Sequence, residues 1–172
     1  FQSGSANSHV QRRTMFQGTI DVDRLVALVQ EVCRIPSVLG EEGAVARYLA
    51  SVMKDSGFEG AGLQEVLPDR PNAVGELDFG AGPRVVFTGH IDTKPVSHGW
   101  TKTTPYSGDI IDGAVYGHGI MDMKAALICQ IVAMEAVRDS GAALGGRLAM
   151  ENAQFVPEFG QQKFGRLLRS VR

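Results

Sequence analysis

The chain has few cysteines and almost no net charge, and these two features exclude several classes of protein. Its 172 residues include two cysteines and carry a formal net charge of −2. Cys33 and Cys129 are far apart and lie in apolar helical patterns, so they make neither a zinc-finger spacing nor a disulfide framework. We therefore predict two buried free thiols and a cytoplasmic location.

Long runs of like charge and long apolar runs are also missing. The first absence argues against nucleic-acid binding and membrane-surface binding, because both need a dense patch of charge. No segment reaches the ~18 consecutive apolar residues that a membrane span requires. We expect a globular protein that acts on a small molecule or a peptide, with neither nucleic acid nor membrane as partner.

The length suits one domain preceded by a short foreign segment. The opening residues Phe1–Ser5 have the composition of a protease-cleaved expression tag, and the chain stays polar and without pattern to about residue 14. We predict that residues 1–14 are a tag remnant, that Met15 is the native start, and that residues 15–172 form the domain.

Apolar periodicity predicts three helices and several strands. The first helix follows Thr19 or Asp21 as N-cap and ends before Pro36, the second covers about residues 42–55, and the third covers about residues 124–140. Strands are predicted at residues 84–89 and at about 147–155, with short strand-like pieces at 63–66 and 73–75, and Asp112-Gly113 signals a hairpin. This order favours an α/β sandwich with helices on both faces.

The run Arg84–Gly89 predicts a buried strand that is covered on both faces, and it places His90 and Asp92 at the strand's carboxyl end. Ligands of open α/β sheets bind at that edge. Imidazole and carboxylate are ligands for Zn²⁺ and neighbouring divalent metals. Side chains two apart on a strand share a face, so His90 can ligate while Asp92 contacts its second nitrogen.

Asp122 stands just before the third predicted helix, where a carboxylate can bridge two metals that lie ~3.5–4 Å apart. Taken alone, these residues leave ordinary alternatives open. An isolated His-x-Asp often binds no metal, and an Asp at a helix start is commonly an N-cap.

The whole stretch resembles a known family. Five blocks occur in order: Gly89-His90-Ile91-Asp92-Thr93, Trp100, Thr104-Pro105-Tyr106-Ser107-Gly108, Asp112-Gly113-Ala114-Val115-Tyr116-Gly117 and Asp122-Met123-Lys124-Ala125-Ala126. Their order and spacing resemble the amino-terminal part of the zinc-dependent metallopeptidase family of aminoacylase, succinyl-diaminopimelate desuccinylase and glutamate carboxypeptidase.

The resemblance implies a truncated three-layer α/β/α sandwich of the di-zinc exopeptidase type, without its lid domain, so that residues 15–172 are a partial catalytic domain. It implies that His90 ligates one zinc, that Asp122 bridges two, and that Asp92 orients His90. Cobalt or manganese are alternative metals. It also implies a cis peptide between Asp122 and Met123, and a Glu that acts as general base on a metal-bound water.

The sequence departs from the family pattern after the last predicted strand. The family has adjacent glutamates there, whereas this chain has Pro157-Glu158, so Glu158 is a candidate for either the base or a metal ligand. Glu151 is a weaker candidate. His118 stands where the family usually has Arg, and it is either an occasional ligand or a structural side chain, while His98 is expected at the surface.

The family's remaining carboxylate, its distal His and its lid come from sequence beyond position 172. We therefore expect a hydrolase of amide bonds in N-acyl amino acids or small peptides that is inactive or incomplete as this chain. The alternative is a non-catalytic metal-binding or dimerising module. Since the missing half would cover part of the sheet, we expect a homodimer or an intertwined oligomer.

Overall fold

The structure, a computed structural model, describes residues 19–153. It contains three α-helices and six strands in the order α1 (Val22–Cys33), α2 (Gly43–Asp55), β1 (Glu59–Leu67), β2 (Arg70–Asp78), β3 (Arg84–His90), β4 (Asp109–Ile111), β5 (Ala114–Tyr116), α3 (Ala125–Asp139) and β6 (Arg147–Ala153). An irregular turn, Ile120–Lys124, leads into α3. Residues 1–14 and Glu158 lie outside the described residues, so the tag prediction and the placement of Glu158 stay predictions.

The helices begin and end close to the positions that their sequence signals predict. Asp21, one of two predicted N-caps, caps α1, because its carboxylate accepts a hydrogen bond from the backbone N–H of Arg24 at 2.9 Å. Gly57 and Gly141 follow α2 and α3 with φ of 76° and 67°, the left-handed conformation that ends helices.

Four strands form a mixed sheet in the order β1-β2-β6-β3. The β1-β2 and β2-β6 pairs are antiparallel, whereas β3 and β6 run parallel and pair Arg84 with Arg147 through His90 with Ala153. The carboxyl ends of β3 and β6 therefore meet at one edge of the sheet.

Helices α2 and α3 cover the same face of this sheet. A side chain at Gly75 of β2 would meet Met53 of α2, and one at Gly89 of β3 would meet Leu127 of α3. Gly75 is in register with Met150, which is in register with Phe87, two residues from Gly89. Helix α1 packs on α3, and the three helices share one buried apolar cluster with the sheet.

The opposite face of the sheet carries a network of charged side chains. Arg84 pairs with Glu76 at 3.2 Å and with Glu151 at 3.1 Å, while Arg147 pairs with Glu76 at 3.3 Å and Asp78 at 3.1 Å. Within residues 19–153 no helix covers this face. The α/β prediction is confirmed, and two of the three predicted layers lie in the described part of the chain.

The prediction that residues 84–89 form a strand buried on both faces is wrong for the described residues. Val85 is 47% exposed and Phe87 is 37% exposed. The reason is topological, because β3 pairs with β6 on one side and has no described strand on the other. A continuous apolar run does not reveal which strand of a sheet is the edge.

The predicted hairpin is confirmed. Strands β4 and β5 pair antiparallel around Asp112 and Gly113, whose φ angles are 52° and 76°. Two consecutive positive φ values are those of a type I′ turn, for which Asp-Gly is a preferred pair.

None of the helices within residues 19–153 is both long enough and apolar enough to cross a membrane.

Candidate metal centre

Strand β3 and the turn before α3 bring the two principal predicted ligands together. His90 is the last residue of β3, and Asp122 lies in the middle of the Ile120–Lys124 turn. The His90 Nε2 atom lies 2.8 Å from Asp122 Oδ1, although the two residues are 32 apart in sequence. The site stands at the sheet edge where the carboxyl ends of β3 and β6 meet.

Both side chains are accessible from solvent. The His90 side chain is 37% exposed and that of Asp122 is 81% exposed. The turn departs from helical geometry at Asp122 and Met123, and the peptide between them is cis, as the resemblance implied. Asp122 does not serve as a side-chain cap of α3, since no side-chain cap is formed there.

Asp92 contacts His90 differently from the prediction. The His90 Nδ1 atom lies 2.9 Å from the backbone carbonyl oxygen of Asp92, whereas the nearest carboxylate oxygen of Asp92 is 3.9 Å away. The strand ends at His90, so the two-residue alternation that was expected to align both side chains does not continue to Asp92. The orienting acceptor is a backbone carbonyl, which sequence alone does not distinguish from the side chain.

The two contacts favour the protonated form of His90. Burial disfavours the charged ring, but hydrogen bonds to Asp122 and to the Asp92 carbonyl, together with both carboxylate charges, outweigh it and raise the pKa of His90. Both partner atoms are acceptors, which favours a proton on each ring nitrogen. With Nδ1 donating to the carbonyl, Nε2 would be the nitrogen that binds a metal once its own proton is lost.

The donor set fits a divalent transition metal in part. An imidazole Nε2 and a carboxylate oxygen are both suitable ligands for such a metal, and here the two atoms lie 2.8 Å apart. Residues 19–153 contain no group of three His, Cys, Asp or Glu side chains that could hold a metal ion. Further ligands must come from elsewhere, and Glu158 remains the predicted one.

The other candidate side chains are engaged away from this contact. Glu151 pairs with Arg84 on the charged face of the sheet. His118 Nε2 lies 2.7 Å from the Lys94 carbonyl oxygen, and its ring makes edge contacts with Trp100 and Tyr106. His98 is exposed, as expected.

The sequence analysis placed Lys124 at the start of a helix and in a family-like block, but assigned it no role. In the structure its side chain is 1% exposed, and burial lowers its pKa to about 8, with the nearby Cys33 thiol acting in the opposite direction. Its Nζ donates to the Ile35 carbonyl oxygen at 2.5 Å. The available signal was its position two residues after Asp122, at the start of an otherwise apolar helix face.

Comparison with known proteins identifies relatives of this stretch. The profile of peptidase family M20/M25/M40 matches residues 86–150, which include β3, the Asp122 turn and α3. Succinyl-diaminopimelate desuccinylase of Methylobacterium radiotolerans is 33% identical over 131 residues, which are 74% of this chain and 33% of that enzyme. The chain thus spans about a third of the length of the curated relatives that it matches.

Solved structures share the fold. An M20 family metallo-carboxypeptidase from Sulfolobus solfataricus superimposes with a TM-score of 0.68 at 22% identity, over 76% of this chain and 30% of that one. A dinuclear metal-binding peptidase of the M20 family from Bacillus subtilis gives a TM-score of 0.52 at 15% identity, over 76% of this chain and 34% of that one. At these identities the likeness establishes the fold of the described residues.

Proposed function

The chain belongs to peptidase family M20/M25/M40 as an amino-terminal part, and on that premise we propose that it supplies one side of a metal centre that hydrolyses amide bonds. The proposed ligands are His90 and Asp122, with Asp122 bridging two metals. The observation that carries the proposal is the 2.8 Å contact between His90 Nε2 and Asp122 Oδ1 at the carboxyl edge of β3.

The chain's own residues have separate roles in this proposal. The Asp92 carbonyl holds His90 Nδ1, so that Nε2 is directed towards the metal side. The exposed Asp122 carboxylate offers a second oxygen beyond the one that contacts His90. Zinc, or alternatively cobalt or manganese, would polarise the amide carbonyl and lower the pKa of a bound water. Glu158 is the proposed base for that water or a further ligand.

The proposed substrates are N-acyl amino acids or small peptides. Matching relatives are named succinyl-diaminopimelate desuccinylases, and among the structures of the same fold are a metallo-carboxypeptidase and a dinuclear metal-binding peptidase. Desuccinylation and carboxypeptidase cleavage both break an amide bond whose nitrogen belongs to an amino acid with a free carboxylate. Because the chain spans about a third of those relatives, we propose the activity for the protein to which it contributes, and little or none for the 172 residues alone. Both cysteines are free thiols, but only Cys33 is buried, so the prediction of a buried Cys129 on α3 is wrong. Two free thiols support the proposed cytoplasmic location.

Metal binding by the chain is the direct test. The chain, His90→Ala and Asp122→Asn would be dialysed against Zn²⁺ or Co²⁺ and analysed for bound metal, with His98→Ala as a matched control in an exposed loop. We expect the parent chain and His98→Ala to retain metal and the other two variants to lose it. Metal-free parent protein, or retention in both site variants, would refute the proposed centre.

Hydrolysis is measured separately with N-succinyl-diaminopimelate, N-acetyl amino acids and dipeptides in the presence of Co²⁺ or Zn²⁺. We expect turnover at or near background for this chain. Strong turnover that is lost in Asp122→Asn would show that the described half of the site suffices, and it would overturn the prediction of an incomplete enzyme.

A non-catalytic module for metal binding or dimerisation is the second candidate. It is favoured by the exposed apolar side chains of β3, Val85 and Phe87, which offer a surface for association. Retained metal without turnover in a longer version of the protein would support this reading, whereas turnover by the longer protein would exclude it.

A further inference from the structure

Lys124 places an amine in the interior of the protein, and this unfavourable burial needs an explanation. Its side chain is 1% exposed, and none of the ion pairs formed within residues 19–153 includes it. Burying an amine without an anionic partner is unfavourable, so an apolar side chain would fill the same space at lower cost. Departures of this kind from apolar packing cluster at functional sites.

The partner of the ammonium lies in a different segment of the chain. Lys124 Nζ donates to the carbonyl oxygen of Ile35, which follows α1, at 2.5 Å, and the ammonium stands 5.8 Å from the centre of the Tyr106 ring. The side chain thus connects the turn before α3 to the loop between α1 and α2 across 89 residues of sequence.

Lys124 also contacts the start of the turn that carries Asp122. The Lys124 backbone N–H donates to the Gly119 carbonyl oxygen at 3.0 Å, which closes the turn. The Lys124 Cε atom lies 3.7 Å from the point that a β-carbon on Gly119 would occupy, so the stem runs along the start of the turn. Both ends of the segment around Asp122 are therefore fixed by one residue.

Backbone hydrogen bonds from Lys124 to Gly119 and from Ala125 to Ile120 span the turn, but its interior is not α-helical. Asp122 and Met123 have φ/ψ of −139°/86° and −138°/32°, outside the helical region, so regular helix hydrogen bonding does not set the direction of the Asp122 side chain. That carboxylate is largely exposed and is oriented by the segment that bears it.

We propose that Lys124 is a positioning residue, and that its hydrogen bond to Ile35 holds the Gly119–Lys124 turn so that Asp122 faces His90. The proposal rests on the proposed function in so far as the His90–Asp122 pair binds metal. It assigns the buried ammonium a role in metal affinity, in addition to any role in stability.

The test compares Lys124→Met, which removes the donor at similar length, with Lys124→Arg, which retains one. Lys102→Met, in an exposed residue that contacts Tyr116, is the matched control. Co²⁺ affinity of the full chain is measured by calorimetry, and urea unfolding of the metal-free protein is measured beside it. We expect Lys124→Met to lose at least ~10-fold in affinity, as when a residue that orients a ligand is removed, without a lower urea midpoint.

Lys124→Arg should recover part of the lost affinity, and Lys102→Met should bind as the parent does. Unchanged affinity in Lys124→Met would overturn the proposal, as would a loss fully explained by a lower urea midpoint. If Lys124→Met does not fold, Lys124→Gln, which is polar but too short to reach Ile35, takes its place in the comparison.

A second measurement separates this proposal from the proposed function. The ring ¹⁵N shifts of His90 in the metal-free chain report its contact with Asp122, and Asp122→Asn provides the reference for its loss. We expect Lys124→Met to move these shifts towards that reference. If the parent chain binds no metal, the proposed function fails, while the His90 shifts still decide whether Lys124 positions Asp122.

Discussion

At the scale of single residues, the sequence identified His90 and Asp122 as candidate ligands but did not show that the two side chains are in contact. Each is an ordinary residue in isolation, and the 2.8 Å contact between them depends on where β3 ends and how the turn before α3 bends. A backbone carbonyl, that of Asp92, completes the environment of the imidazole. Because every residue has a backbone carbonyl, the residue types do not reveal which carbonyl accepts this hydrogen bond.

Metal should stabilise the folded chain through this pair. A ligand that binds only the native state adds about 2.7 kcal/mol at a hundred times its dissociation constant. We expect Co²⁺ to raise the thermal midpoint of the parent chain and a chelator to reverse the rise. In Asp122→Asn the midpoint should be the same with metal and with chelator, and an equal rise in this variant would place the stabilising ion elsewhere.

Position 117 requires glycine because the Cys33 sulfur occupies the space that a side chain there would need. A β-carbon at this position would lie 1.9 Å from Cys33 Sγ, well inside van der Waals contact. We expect Gly117→Ala to lower the free energy of unfolding by about 2 kcal/mol, as overpacking of a core does. Urea titration measures the change.

The same substitution in a Cys33→Ala background should cost clearly less, because the clashing sulfur is absent. Gly62→Ala is the matched control, since its nearest neighbour would be the Gly60 carbonyl oxygen at 3.8 Å, an ordinary contact. Equal costs in the two backgrounds would show that the contact with Cys33 is not the cause.

At the scale of elements, a buried ion pair joins the start of α2 to β2. The fully buried Glu42 carboxylate accepts from Arg70 at 2.7 and 2.9 Å and from the Gly40 backbone N–H at 2.8 Å. Burial opposes its ionisation, but these hydrogen bonds prevail and lower the pKa of Glu42. Removing Arg70 would leave the buried carboxylate without its guanidinium partner. We expect this to lower the free energy of unfolding by roughly 3–5 kcal/mol.

The lowered pKa of Glu42 sets the direction of a pH effect. A carboxyl group with a depressed native pKa contributes stability above its unfolded pKa, and that contribution disappears as the pH falls through the native value. We expect the unfolding free energy of the parent chain to fall below about pH 4, near the unfolded pKa of a glutamate. The decline should be shallower in Glu42→Gln.

Urea titrations between pH 3 and pH 7 measure this effect. The neighbouring Glu41→Gln, at an exposed position, is the matched control and should follow the parent profile. A Glu42→Gln profile that is as steep as that of Glu41→Gln would contradict the assignment to the Glu42–Arg70 pair.

Strands β1 and β2 show why element lengths were harder to predict than helices. Short pieces at residues 63–66 and 73–75 were expected, whereas the strands extend over Glu59–Leu67 and Arg70–Asp78. Their Gly, Pro and Asp residues disfavour strands locally, but pairing with neighbouring strands stabilises them all the same. Helix signals are local, so α1, α2 and α3 followed prediction closely.

At the scale of the whole molecule, β3 presents an open edge with apolar side chains. Val85 and Phe87 are exposed on a strand whose outer hydrogen-bonding groups have no described partner strand. Such an edge favours pairing with another strand. Because a second copy presents the same edge, we predict that the chain forms dimers or larger assemblies through β3.

Sedimentation over a range of concentrations tests this prediction. We expect the parent chain to associate and Phe87→Lys to remain monomeric, because a charge on the edge opposes pairing. Leu63→Lys, an exposed leucine on the opposite edge strand β1, is the matched control and should associate as the parent does. A parent chain that stays monomeric throughout would contradict the prediction.

The sequence by itself determined the α/β class, the helices, the Asp-Gly hairpin and the family, because these depend on local periodicity, turn chemistry and motif spacing. Only the tertiary structure decided that β3 is an edge strand among the described strands, that the Asp92 carbonyl holds His90, and that buried Lys124 joins the Asp122 turn to the loop after α1. Those features arise from contacts between segments far apart in the chain. Each depends on backbone positions that no local pattern encodes.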